Sequence, residues 1–183
     1  DDAELLTDMF TQLLDAMLLQ EDFAIINQVV LKLKAMEQRL GADSAVGRLL
    51  RAFTSHMGEE TRVNRVAEII KTTRLKAPQE IVRYLSNLGP ESVPLLLDAL
   101  ELIELPENRT LLCDVLVHFA KELPDPFVGR LRSDKPQVVR DMIYVLDRSN
   151  HPEKIRFFAS VLKSRNLAVK LEAEPRRIGQ FDL

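Results

Sequence analysis

Five prolines constrain this chain more than any other feature. Pro78, Pro90, Pro106, Pro136 and Pro152 each stand just ahead of a run with helical apolar spacing. Proline fits a helix only in the first turn, where its missing N–H has no intrahelical partner to lose. The prolines therefore read as helix starts: "PQEIVRYLSNLG", "PESVPLLLDALELI", "PENRTLLCDVLVHFAKEL", "PQVVRDMIYVLDRSN" and "PEKIRFFASVLKSR". A short piece, "DPFVGRLRS", falls between the third and fourth. A last segment, "NLAVKLEAEPRRIG", reads as one more helix, broken near Pro175.

The first part of the chain has the same period without the prolines. Leu6, Phe10, Leu13, Leu14, Met17 and Leu18 follow the three-and-four spacing of a helical face, as do Ile25, Ile26, Val29, Val30, Leu33, Met36 and Leu40. Gly41 is placed to end the second helix, because glycine readily adopts the left-handed conformation of a helix end. Helices are expected over about 44–57, stopped by Gly58, and over about 60–74. No strand is expected anywhere, so the fold class is all-α.

Several apolar stripes are wider than a helix wet on one side requires. In "LLCDVLVHFAKEL" the apolar residues cover well over one face, which places that helix between neighbours. The first helices of successive pairs, "PQEIVRYL", "RTLLCDVL", "PQVVRDMI" and "NLAVKLEA", share a pattern. Aligning Val82, Cys113, Arg140 and Lys170 gives a spacing of roughly 30 residues, a helical-hairpin interval at which neither hairpin buries both its faces alone.

At these residues the chain resembles the HEAT-repeat family. The likeness is carried by Asp134, Pro136, Val139 and Arg140, followed by "PEKIRFFASVLK", and it covers roughly residues 76–183. In that family an acid in the inter-helix turn and an arginine early in the first helix form a ladder between units. Asp134 and Arg140 match it. The next unit offers Ser164 and Lys170, and earlier units have Cys113 and Val82 at the arginine position. The resemblance implies a right-handed α-solenoid of HEAT-like antiparallel helix pairs, of the armadillo-like kind. Residues 75–183 would form the repeat region, and 1–74 a helical region of divergent repeats or a cap. With no initiator Met and an abrupt end, the chain reads as a piece of a longer protein.

A search for chemistry points away from an enzyme. The six glycines are scattered singly, so no phosphate-binding loop is present. His56, His118 and His151 lie far apart and have no cysteine pair to join, so no metal site or cofactor is expected. Asp114 and His118 stand one helical turn apart, as an acid and a base would, but no nucleophile accompanies them. Cys113 sits among Leu111, Leu112, Val115 and Leu116 and reads as a core residue.

A formal net charge of −3 gives no general attraction to nucleic acid or to an anionic membrane. The distribution is uneven. Residues 1–22 hold seven acids and no base, whereas "RVNRVAEIIKTTRLK" holds five bases against Glu68. The acidic first helix, with its apolar face of Leu6, Phe10, Leu13 and Met17, can dock on the basic fourth or bind a partner, and docking within the chain is the simpler expectation. No aromatics interleave with the basic stretches, which weighs against nucleic-acid binding. No apolar run is long enough to span a bilayer, and a single cysteine suits a reducing, cytoplasmic setting.

The expected function is a protein-interaction scaffold with another protein as partner. The alternative is nucleic-acid binding through basic helix faces. In HEAT-like solenoids the second helices of the pairs line a concave surface. With Val93, Leu96, Leu97 and Leu100 turned inward, Asp98, Glu101 and Glu104 are the expected contacts. With Ile155, Phe158, Ala159 and Leu162 inward, Arg156, Ser160 and Lys163 join them.

Overall fold

The computed structural model describes residues 2–72 and 74–162; the side chains of 2–4, 72 and 160–162 are outside the description. Among the described residues there are ten α-helices and no strand. They are α1 (Asp2–Leu19), α2 (Phe23–Leu40), α3 (Ala45–Met57), α4 (Glu60–Thr72), α5 (Pro78–Leu85), α6 (Val93–Leu102), α7 (Pro106–Glu122), α8 (Asp125–Arg130), α9 (Pro136–Arg148) and α10 (Lys154–Leu162). The expected segment "NLAVKLEAEPRRIG" lies outside the described residues.

Local chemistry explains the boundaries. Pro78 opens α5, Pro106 opens α7 and Pro136 opens α9. Pro90 instead starts a single 3-10 turn, Pro90–Ser92, from which α6 continues, and Pro152 sits in the turn before α10. Gly41 ends α2 with φ +91°, its N–H donating to the Glu37 carbonyl. Ser44 caps α3, its side chain accepting from the Gly47 N–H. A methyl group on Gly47 would run into the Ala42 backbone carbonyl, so only glycine lets the 41–44 turn fold back this closely.

The chain forms two compact units, 1–115 and 116–183, divided within α7. This division by compactness differs in kind from the 74/75 division drawn from repeat character. In the first unit α1, α2 and α3 pack against one another, α4 lies beside α1 and α3, α5 beside α2, and α6 on α4. The interior is aliphatic, with Leu14, Ile26, Val30, Val66, Ile70, Leu96 and Leu100 almost fully buried. Two edge-to-face aromatic pairs join it, Phe10–Phe53 across α1 and α3 and Phe23–Tyr84 across α2 and α5. In the second unit α9 packs between α8 and α10, around Phe127, Leu131, Met142, Val145 and Leu146.

Two expectations about facing change. Leu6 and Leu13 on α1, and Ile25, Met36 and Leu40 on α2, share apolar stripes with buried residues yet stand exposed. The stripes are wider than the interior covers. On α10, Ile155 is 76% exposed and Ala159 is also exposed, so neither turns inward as expected, whereas Phe158, expected inward, is half-buried, as is Phe157. Among the described residues the nine-residue helix has α9 as its neighbour in extensive contact, and one such neighbour covers one narrow stripe.

Candidate functional site

A dense polar cluster lies where α1 meets α4. Arg62, on the first turn of α4, is 8% exposed. Its Nε and Nη2 donate to the two oxygens of Asp15 at 2.7 and 3.0 Å. Its Nη1 donates to Glu59 Oε2 at 2.5 Å and to the His56 carbonyl at 3.1 Å. The paired contact with Asp15 is the fork geometry that arginine alone provides. The acidic first helix thus docks on the basic fourth, as its charge pattern predicted, and Arg62 is the contact. Beneath it, the Tyr84 hydroxyl donates to the Met57 carbonyl at 3.0 Å in a buried setting.

The electrostatics follow from these contacts. The His56 ring, hydrogen-bonded to Glu59 Oε1, holds the Glu59 carboxyl below its ordinary range; partial burial opposes this and Arg62 reinforces it. Burial alone would make Arg62 less basic, but Asp15 and Glu59 outweigh it and raise its pKa. Burial pushes the Tyr84 phenol up, so it stays protonated and donating. Glu59 titrates lower in the folded chain than its unfolded value of 4.5. Its contribution to stability is therefore complete above pH 4.5 and is lost as pH falls through the lower folded value. Chemical unfolding of Glu59→Gln, followed by circular dichroism, should show a shallower loss of stability than the unaltered chain between about pH 5 and pH 3. This cluster clamps helices together; it is tied up in structure rather than presented to a substrate.

A second feature is open. Between α5 and α7 lies a shallow cleft of about 520 Å³. Pro78, Val82 and Leu111 form its apolar wall, and Gln79 and Thr110 add polar groups. Arg83, Glu107 and Asp114 complete the lining, Arg83 also donating to Glu80 at 3.2 Å. Pro78 starts α5 and Pro106 starts α7, so the proline punctuation builds both walls. Val82 and Leu111 are half-buried, neither core nor fully wet. The sequence signal for this cleft was the repeat alignment, which equated Val82 with Cys113 on neighbouring first helices, but nothing in it marked an open space.

The expected site residues fall as follows. Asp98 and Glu104 are exposed and Glu101 is half-buried, all on or just after α6, whose Val93, Leu96, Leu97 and Leu100 are buried as expected. Arg156 is exposed on α10 and pairs with Glu153 at 3.4 Å. The Ser160 side chain and Lys163 lie outside the described residues. Asp134 is exposed in the turn before α9, and Arg140 is half-buried, its Nη1 donating to Gln137 Oε1 at 3.2 Å. The α6 residues belong to the first unit and Arg156 to the second. Cys113 is buried, and Asp114 and His118 are exposed.

Among the described residues no three His, Cys, Asp or Glu side chains converge as metal ligands would. No described helix is long and apolar enough to cross a membrane. No protein-family model matches the sequence, and no match was found among curated proteins or solved structures.

Proposed function

We propose that this chain is a non-catalytic protein-interaction module built as a HEAT-like α-solenoid, and that it works in the cytoplasm. The α5–α7 cleft carries this reading. An apolar wall of Pro78, Val82 and Leu111 with charged Glu107 and Asp114 beside it is how a helical surface accepts a segment of another protein. The layering supports the solenoid. Several elements of the first unit are covered by elements a few places along the chain, α1 by α3 and α4, α2 by α5, α4 by α6. Near-neighbour stacking of that kind is what a repeat array requires. The exposed edge of α6, with Asp98, Glu101 and Glu104, is a further contact surface in this proposal, and Arg156, Ser160 and Lys163 are its counterpart in the second unit. Asp134 and Arg140 would serve the link between repeats.

Nucleic-acid binding through basic faces is the less supported alternative. On α4 the Arg62 charge is taken by Asp15 and Glu59, and Lys71 pairs with Glu68 at 3.7 Å. Two of the five bases of that stretch are thereby neutralised within the fold.

The test is recovery of a partner with the purified chain, its identification by mass spectrometry, and titration calorimetry. Val82→Glu and Leu111→Glu each put a charge on the apolar wall and should weaken partner binding about tenfold or more. Glu101→Lys tests the α6 edge. Undiminished binding by both cleft variants, each shown folded by circular dichroism, overturns the cleft assignment. Tight binding of duplex DNA at physiological salt would favour the alternative.

A further inference from the structure

The α1–α2 hairpin carries an apolar face that the other described residues leave uncovered. Leu5, Leu6, Met9 and Leu13 on α1 are 46–62% exposed, and Ile25, Met36 and Leu40 on α2 are 45–60% exposed. Neighbours account for the other sides of both helices. α3 packs against both, Asp15 reaches α4, and Asn27 and Lys34 reach α5. The exposed stripes lie on the sides left over. Exposed apolar stripes on two neighbouring helices of a folded protein mark a binding face.

The charges beside the stripes are opposite on the two helices. Asp15 is taken by Arg62, Asp22 caps α2 and Lys34 donates to Asn87, which leaves Asp8 as the exposed acid along α1 and Lys32 and Arg39 as the exposed bases along α2 among the described side chains. Asp8 on α1 and Lys32 on α2 are both exposed, and neither is spent on an ion pair among the described residues. A face with an unpaired acid on one helix and unpaired bases on the other is complementary to itself after a two-fold rotation, which is the requirement for a symmetric dimer.

We propose that this face binds a second copy of the chain, with α1 of one protomer lying over α2 of its partner about a two-fold axis parallel to the helices. That arrangement sets acid against base. The other two-fold arrangement, α1 over α1, sets the acidic helices against each other and is disfavoured. The tight connection at Gln20–Asp22 puts Asp8 level with the middle of α2, so Asp8 of one protomer faces Lys32 of the partner subunit. This interface is separate from the α5–α7 cleft and stands or falls independently of it.

Sedimentation equilibrium of the 183-residue chain across micromolar to millimolar concentration tests the proposal. A reversible monomer–dimer equilibrium is expected. Met9→Ser with Leu5→Ser, both at exposed positions, should weaken dimerisation about tenfold or more while circular dichroism stays unchanged. Asp8→Lys alone and Lys32→Glu alone should each weaken it about tenfold, because two-fold symmetry places each like-charge contact twice. An equimolar mixture of those two single variants should recover association, since the mixed dimer restores both opposite-charge contacts. A chain that is monomeric throughout, or a dimer indifferent to the Leu5 and Met9 changes, overturns the face. Dimerisation without recovery in the mixture overturns α1-over-α2 pairing.

Discussion

Replacing Asn27 with aspartate is expected to destabilise the first unit by about 3 kcal/mol at neutral pH, because it sets an uncompensated carboxylate in a buried site. Asn27 is 3% exposed on α2, and its Nδ2 donates both to the Glu80 backbone carbonyl at 2.8 Å and to Glu80 Oε2 at 2.7 Å. Aspartate at neutral pH would donate to neither and would face the Glu80 carboxylate. The two helices α2 and α5 are joined here, so the loss bears on their docking. The same argument predicts two refinements. The loss should shrink as pH falls towards about 4, because burial beside Glu80 raises the pKa of the introduced carboxyl and its protonated form can again donate to Glu80. Asn27→Leu should be milder, about 1 kcal/mol, because the Asn27 Oδ1 has no hydrogen-bond partner and its removal relieves a buried orphan. Urea unfolding monitored at 222 nm measures all three, and equal losses for the aspartate and leucine variants would refute the argument.

Arg62→Ala is expected to lower stability by about 2 kcal/mol, since it strips donors from three acceptors at once. Asp15 and Glu59 are each about half exposed, so water re-solvates them and the loss falls short of that for a wholly buried pair. Arg62→Lys should lie between, because lysine keeps the charge and lacks the fork that grips both Asp15 oxygens. A cycle with Asp15→Asn isolates the α1–α4 contact. The Asp15 change should matter much less once Arg62 is gone, and additive losses would show that the two side chains do not act together.

Much of this architecture was legible in the sequence. Proline can begin a helix and cannot continue one, so Pro78, Pro106 and Pro136 marked helix starts. The opposite charges of 1–22 and 62–76 predicted that α1 would dock on α4, because neutralising a partly buried arginine requires carboxylates within hydrogen-bond reach. Cys113 read as a core residue from its apolar neighbours, and it is buried.

What the sequence alone left open was coverage. Leu13 and Leu14 look alike along the chain, yet Leu14 is buried and Leu13 is 46% exposed. Helical period places a residue on a face, but which part of a wide apolar face is covered depends on where the neighbouring helices end. On α10 the same ambiguity ran the other way, and Ile155 stands in solvent because a short helix with one close neighbour has one covered stripe. The unpartnered Asn27 Oδ1 and the cleft between α5 and α7 belong to the same class. Each depends on contacts between residues dozens of positions apart, which local spacing does not encode. Sequence determined where the helices of this protein begin and which faces are apolar. Only tertiary packing decided which of those faces remain available to a partner.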